Sequence, residues 1–256
     1  MATDRREASF TRATLAPLLK AAGRSGVLVG GQALAVWVDY FGIAASWGAD
    51  EDAVITRDID FLGDRELVER VAKAFPARTV FPPRRALTAL VGQVEIPQPG
   101  GTFLNVDVIH KVFGVDAGGI RKRAVDIEFE QRGETIRFAV MHPVDVLRSR
   151  LANLAKLAEK QTSAGVRQVR LATQVVRHFI ARVADDGDAA EGQKRALKAI
   201  EIVAKLARSA AGRKARDAFG VDFVAAIPAD CIKSEAFRKQ RWPRLLAQLE
   251  KRRTRG

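Results

Sequence analysis

Arg57-Asp58-Ile59-Asp60-Phe61-Leu62 alternates between polar and apolar side chains. A period of two predicts a strand, with Ile59 and Phe61 turned into a core and Asp58 and Asp60 together on the opposite face. Two neighbouring carboxylates repel, and one tends to keep a proton unless a cation relieves the repulsion. Oxygen-only ligands suit Mg²⁺ or Mn²⁺. An isolated Asp-x-Asp is also what a solvated strand end looks like, so the pair takes its meaning from its surroundings.

Upstream, Val27-Leu28-Val29 reads as a short buried strand running into Gly30-Gly31, and Gln32–Tyr40 as a helix. Glycine at a strand-to-helix turn leaves backbone N–H groups unobstructed for phosphate. The plain alternative is a tight turn chosen for packing. A loop containing Gly42, Gly48, Asp50, Glu51 and Asp52 follows. Downstream, Asp64 is placed to cap a helix over Arg65–Phe75. Beyond Pro82-Pro83, strands are expected at Leu87–Ile96 and Phe103–His110, with a turn at Gly100-Gly101. Asn105-Val-Asp107-Val-Ile109 sets a third acid inside an apolar strand. A buried carboxylate is costly unless paired or metal-bound, so Asp107 needs a partner, either a metal shared with Asp58 and Asp60 or a salt bridge to Arg or Lys.

Val125–Phe129 and Ile136–Val140 alternate around Gln131-Arg-Gly133, the pattern of a hairpin. From Pro143 the periodicity becomes helical, with Val146, Leu147, Leu151, Leu154 and Leu157 at three- and four-residue spacing. Further helices are expected at Val166–Val183, Gly192–Ala211 and Glu235–Lys251, and the Lys251–Arg255 tail is expected to be disordered. The fold class is therefore α+β, a core over residues 1–142 followed by an all-α module over 143–256.

Charge divides along the same line. Residues 1–147 carry 18 Lys and Arg against 19 Asp and Glu, and residues 148–256 carry 25 against 11. A basic half of this kind suggests an acidic partner, RNA first, although a solvated helical surface has the same composition. Arg148, Arg167, Arg170 and Arg177 recur at spacings that can align a basic stripe. The single cysteine excludes an internal disulfide and a cysteine-built zinc site. The polar N-terminus and the lack of a long apolar run speak for a cytoplasmic protein outside the membrane.

Val27-Leu-Val-Gly-Gly-Gln-Ala-Leu34, Thr56-Arg-Asp-Ile-Asp-Phe61 and Asn105-Val-Asp-Val108, in that order, resemble the polymerase-β-like nucleotidyltransferase superfamily over roughly residues 25–160. The forms Gly-Gly-x-Ala-Leu and Thr-x-Asp-Ile-Asp, with Pro143-x-Asp145 opening a helix, look most like its abortive-infection toxin branch. The 26 residues between Gly31 and Asp58 imply an inserted loop. Arg150 stands where that branch tends to have a lysine, and no acid occurs between Glu159 and Asp185.

The resemblance implies a mixed sheet carrying Asp58, Asp60 and Asp107 at one edge, with two Mg²⁺ and a nucleoside triphosphate as substrate. Asp58 and Asp60 would bridge both ions, while Asp107 would hold the ion at the acceptor hydroxyl. Such ions lie about 3.5–4 Å apart in two-metal sites. Gly30, Gly31 and Gln32 would cradle the triphosphate, with Arg57, Lys111, Arg148 or Arg150 as its cations. The expected activity is transfer of a nucleoside monophosphate to RNA, a tRNA-like end for example, in a toxin with an antitoxin protein as partner or in phage defence. A small-molecule or protein acceptor is the first alternative. A non-catalytic protein that docks RNA or a partner on the same fold is the second.

Overall fold

The computed structural model describes residues 12–43, 58–131, 133–186 and 189–250. The expected insertion, Arg57 and the basic tail lie outside the described residues. Met1–Val36 and Val54–His142 form one compact unit, and Trp37–Ala53 with Pro143–Gly256 form the other.

The first unit is built on a seven-stranded mixed sheet. Its strands are β1 (Val27–Val29), β2 (Asp58–Leu62), β3 (Arg78–Val80), β4 (Leu90–Pro97), β5 (Phe103–Ile109), β6 (Val125–Gln131) and β7 (Glu134–Val140), in the order β3-β4-β5-β2-β1-β7-β6. β2 runs parallel to β5, and β1 runs parallel to β7, while the remaining pairs are antiparallel. Leu28, Ile59, Phe61, Val94, Val106, Val108 and Val140 are fully buried. Helices α1 (Arg12–Ala22) and α3 (Arg65–Lys73) pack on this apolar side. The alternation in β2 thus does what its sequence demands, sending apolar side chains to the helices and acids to the other face.

α3 begins where Asp64 accepts a hydrogen bond from the Leu67 N–H at 3.1 Å, and buries Leu67, Val68 and Val71. Asp64→Ala should destabilise the protein by about 1 kcal/mol through loss of this cap. Differential scanning calorimetry should show the midpoint fall by about 2–4 °C. An unchanged midpoint would mean that α3 is held by packing alone.

Several expected boundaries move. β4 starts at Leu90 rather than Leu87, whose side chain is fully exposed. The short edge strand β3, the helix α1 and the helix α4 (Ala117–Arg123) are additions to the expected elements. Pro17 lies inside α1, where it removes a backbone donor and obscures the helical pattern.

The second unit is helical: α5 (Pro143–Lys156), α6 (Ser163–Ala184), α7 (Ala189–Arg208), α8 (Ala210–Phe219) and α9 (Trp242–Glu250), the last preceded by a π-helical turn over Phe237–Arg241. α2 (Gly30–Tyr40) begins in the first unit and ends in the second. The single helix expected over Gly192–Ala211 is broken. Ser209 caps a new helix by accepting from the Gly212 N–H at 3.1 Å, which favours a fresh start over continuation. Thr162 caps α6 in the same way, accepting from Gly165. Among the described residues no helix is long and apolar enough to cross a membrane.

Candidate active site

The site residues follow from strand pairing. β2 and β5 are aligned so that Asp60 lies opposite Asp107 and Asp58 opposite Asn105. β4 continues the row, with Gln93 opposite Asp107 and Glu95 opposite Asn105. Residues paired in register share a face, so six polar side chains on three adjacent strands form one patch on the face opposite the helix-packed core. Asp58, Asp60, Asp107, Gln93 and Glu95 are half-buried, and Asn105 is buried. A register slip of one residue would have turned Asp107 on β5 away from the acids on β2.

Gly30, the first residue of α2 after β1, borders the patch. Its φ is +68°, a left-handed conformation that glycine adopts without steric penalty. A Cβ at this position would lie 2.0 Å from Asp60 Oδ2. The backbone at the head of α2 therefore rests directly against the Asp60 carboxylate, an approach that only glycine permits. Gly31 and Gln32 follow in the first turn of α2, both buried.

Asp107 is held by two amides. Gln93 Nε2 donates to its Oδ1 at 2.9 Å and Asn105 Nδ2 donates to the same oxygen at 3.1 Å. Burial pushes the Asp107 pKa above the ordinary aspartate range, the Gln93 bond opposes this, the charge of Asp58 adds to it, and the Asn105 bond opposes it again. A raised native pKa means that protonated Asp107 favours folding. That contribution is complete below about pH 3.9, the unfolded value, and is lost as pH rises through the higher native value. At neutral pH the ionised group thus counts against the fold. Asp107→Asn should raise the thermal midpoint at pH 7, by about 2–4 °C for each kcal/mol recovered, with the gain shrinking toward pH 4. A gain that stays constant with pH would show that Asp107 carries no charge penalty.

A divalent cation suits this donor set in kind. All the donors are oxygens, Asp107 bears a desolvation and repulsion penalty that a cation would relieve, and the buried Asn105 Oδ1 accepts no hydrogen bond from the described residues. Among the described residues, however, no three His, Cys, Asp or Glu side chains converge as a ready metal cage. The carboxylates are neighbours in register.

The remaining candidates divide between the units. Arg57 lies outside the described residues. Lys111 is exposed just beyond β5. Arg150 is on α5 in the second unit, with Nη1 3.3 Å from Gln168 Oε1. Arg148 faces the buried Asp145 at 3.4 Å. The expected basic stripe is partly structural, because Arg170 donates to the Phe219 carbonyl and Arg177 to the Ala225 carbonyl, at 3.2 and 3.4 Å. Trp242 stacks on Phe237 and His178 on Phe41, both packing roles.

Gln93 and Glu95 are additions to the expected site, and Asn105 gains a role. Their alternation along β4 and β5 was visible, but only the pairing of β4 on β5 brings them to Asp107.

No family model matches the chain, and no curated protein matches it. Among solved structures it is similar to JHP933 from Helicobacter pylori, at 13% identity and a TM-score of 0.38, over 91% of this chain and 94% of that one. A likeness at that level carries no argument about what the chain does.

Proposed function

We propose that the chain is a Mg²⁺- or Mn²⁺-dependent nucleotidyltransferase, resembling the polymerase-β-like superfamily, that moves a nucleoside monophosphate from a triphosphate to an RNA acceptor. One observation carries the reading: Asp60 and Asp107 lie opposite each other on parallel strands, with Asp58 two residues away on the same face and Gly30 against Asp60. Asp58, Asp60 and Asp107 would hold the cation, which supplies Lewis-acid stabilisation of the phosphoryl oxygens. The N–H groups of Gly30, Gly31 and Gln32, at the head of a helix, would bind the triphosphate. Gln93 and Asn105 fix one oxygen of Asp107 and so restrict how the other is presented. In the reaction the acceptor oxygen bonds to the α-phosphorus and pyrophosphate leaves. The basic composition of residues 148–256 supports RNA over a small-molecule or protein acceptor, and a toxin or phage-defence role with an antitoxin partner follows from the resemblance alone.

A second reading is favoured by one observation, the absence of a converged metal cage among the described residues. On that reading the fold docks RNA or a partner without chemistry. Titration with Mn²⁺, followed by its paramagnetic effect on water relaxation, decides between them. The enzyme reading expects triphosphate-enhanced binding to the full chain, weakened at least tenfold in Asp60→Asn, whereas the docking reading expects no saturable binding in either protein.

A further inference from the structure

The second unit contains a trough between α7 and the segment running from the Phe237 turn into α9. Two adjoining cavities, of about 440 and 380 Å³, share Phe237, Arg241 and Arg244, so the depression is elongated. Its floor is apolar: the half-buried Leu197 and Leu245 present the accessible surface, and Ile200, Ala204 and Phe237 are buried beside them. Its rim carries Lys205 and Arg208 from α7 and Arg241 and Arg244 from the other side, all exposed. Among the residues lining it, Glu201 is the one carboxylate, and it is already bonded to Arg241 at 2.5 Å. Arg208 donates to Gln248 Oε1 at 3.1 Å, which joins α7 to α9 across the trough.

We propose that this trough binds single-stranded RNA, with phosphates on the arginine and lysine rims and bases against the apolar floor. A groove that combines cations with an apolar or aromatic platform suits a single strand, because every base offers a flat face and every linkage a negative charge. Guanidinium forks match phosphate oxygens two at a time. An amphipathic acidic helix would also meet an apolar floor and basic walls. The distribution of charge favours RNA: Lys205 and Arg208 face Arg241 and Arg244 across the first cavity, and Arg241 and Arg244 continue into the second. A repeating line of charge matches a polyanion better than the few acids of one helix face. The inference rests on the RNA-acceptor reading for its ligand class but needs none of the transfer chemistry.

The test uses the full chain and a fluorescein-labelled single-stranded RNA of roughly 12 nucleotides, within the span of strand-binding grooves, with affinity read by anisotropy at low and physiological salt. Affinity should fall with salt at a logarithmic slope of about −0.7 per contacted phosphate. Lys205→Glu with Arg244→Glu should weaken binding at least tenfold and flatten that slope by about 1.4, two contacts' worth. The same charge change at Lys156 and Lys160, which lie outside the trough, should weaken it less than threefold. Glu201→Gln should tighten binding twofold to fivefold by releasing Arg241, a gain that misfolding cannot produce.

The proposal is overturned if the control pair loses as much as the trough pair, if Glu201→Gln gains nothing, or if a polyglutamate peptide of equal charge competes as well as RNA. The two readings also fail separately. RNA bound in the trough by a chain that transfers no nucleotide sinks the transfer chemistry alone. Transfer by a chain whose trough variants bind RNA normally sinks the trough alone.

Discussion

Asp60→Asn should lower the proposed nucleotidyl transfer by roughly 10³-fold, the scale on which removal of one group that stabilises transition-state charge is felt. The thermal midpoint should stay level or rise. Asparagine keeps the shape of the side chain against Gly30, where Asp60 Oδ2 occupies the space of a Cβ, and removes one charge from the patch of acids on β2 and β5. Most inactivating substitutions in a folded interior destabilise. Loss of activity with retained or improved stability is therefore the signature of a functional acid cluster. The same direction is expected for Asp58→Asn, whose charge bears on Asp107. Activity assays paired with thermal melts of both variants check this, and a fall in both quantities together would indicate a structural role.

Gly30→Ala should cost activity and stability at once. A residue with a Cβ forced to φ +68° pays roughly 1–2 kcal/mol for the left-handed conformation alone. The new Cβ must also displace the Asp60 carboxylate, bringing the total to about 2–4 kcal/mol. The steric part depends on Asp60, so a double-mutant cycle isolates it. In an Asp60→Ala background, Gly30→Ala should cost at least about 1 kcal/mol less, because the clashing atom is gone. Denaturant melts of the four proteins measure this coupling. Full additivity would mean that the glycine serves backbone conformation only.

Short-range chemistry explains what could be read from the sequence. Asp58 and Asp60 needed only the alternation of one strand, Gly30 only its place between Val29 and a helix, and Asp64 only its position three residues before the N–H it caps. Asp107 stood out because an acid within an apolar run has to be compensated. The misses are of two kinds. Pro17 in α1 and Ser209 between α7 and α8 changed helix boundaries through single residues whose effect depends on where the helix starts. Gln93 and Glu95 on β4, and the trough between α7 and α9, depend on pairings between distant segments. For Arg170 and Arg177, helical spacing reveals a shared face, but not that the Phe219 and Ala225 carbonyls also lie within reach.

Nucleotide transfer by the Asp58, Asp60 and Asp107 face is the central proposal. Its most direct test incubates the full chain with each α-labelled nucleoside triphosphate, Mg²⁺ and total RNA or protein, with and without a chelator, beside Asp58→Asn. The account predicts label in RNA from the wild-type chain, dependent on the metal and absent from the variant. Label in neither pool under any triphosphate, or equal label from the Asp58→Asn chain, would contradict it.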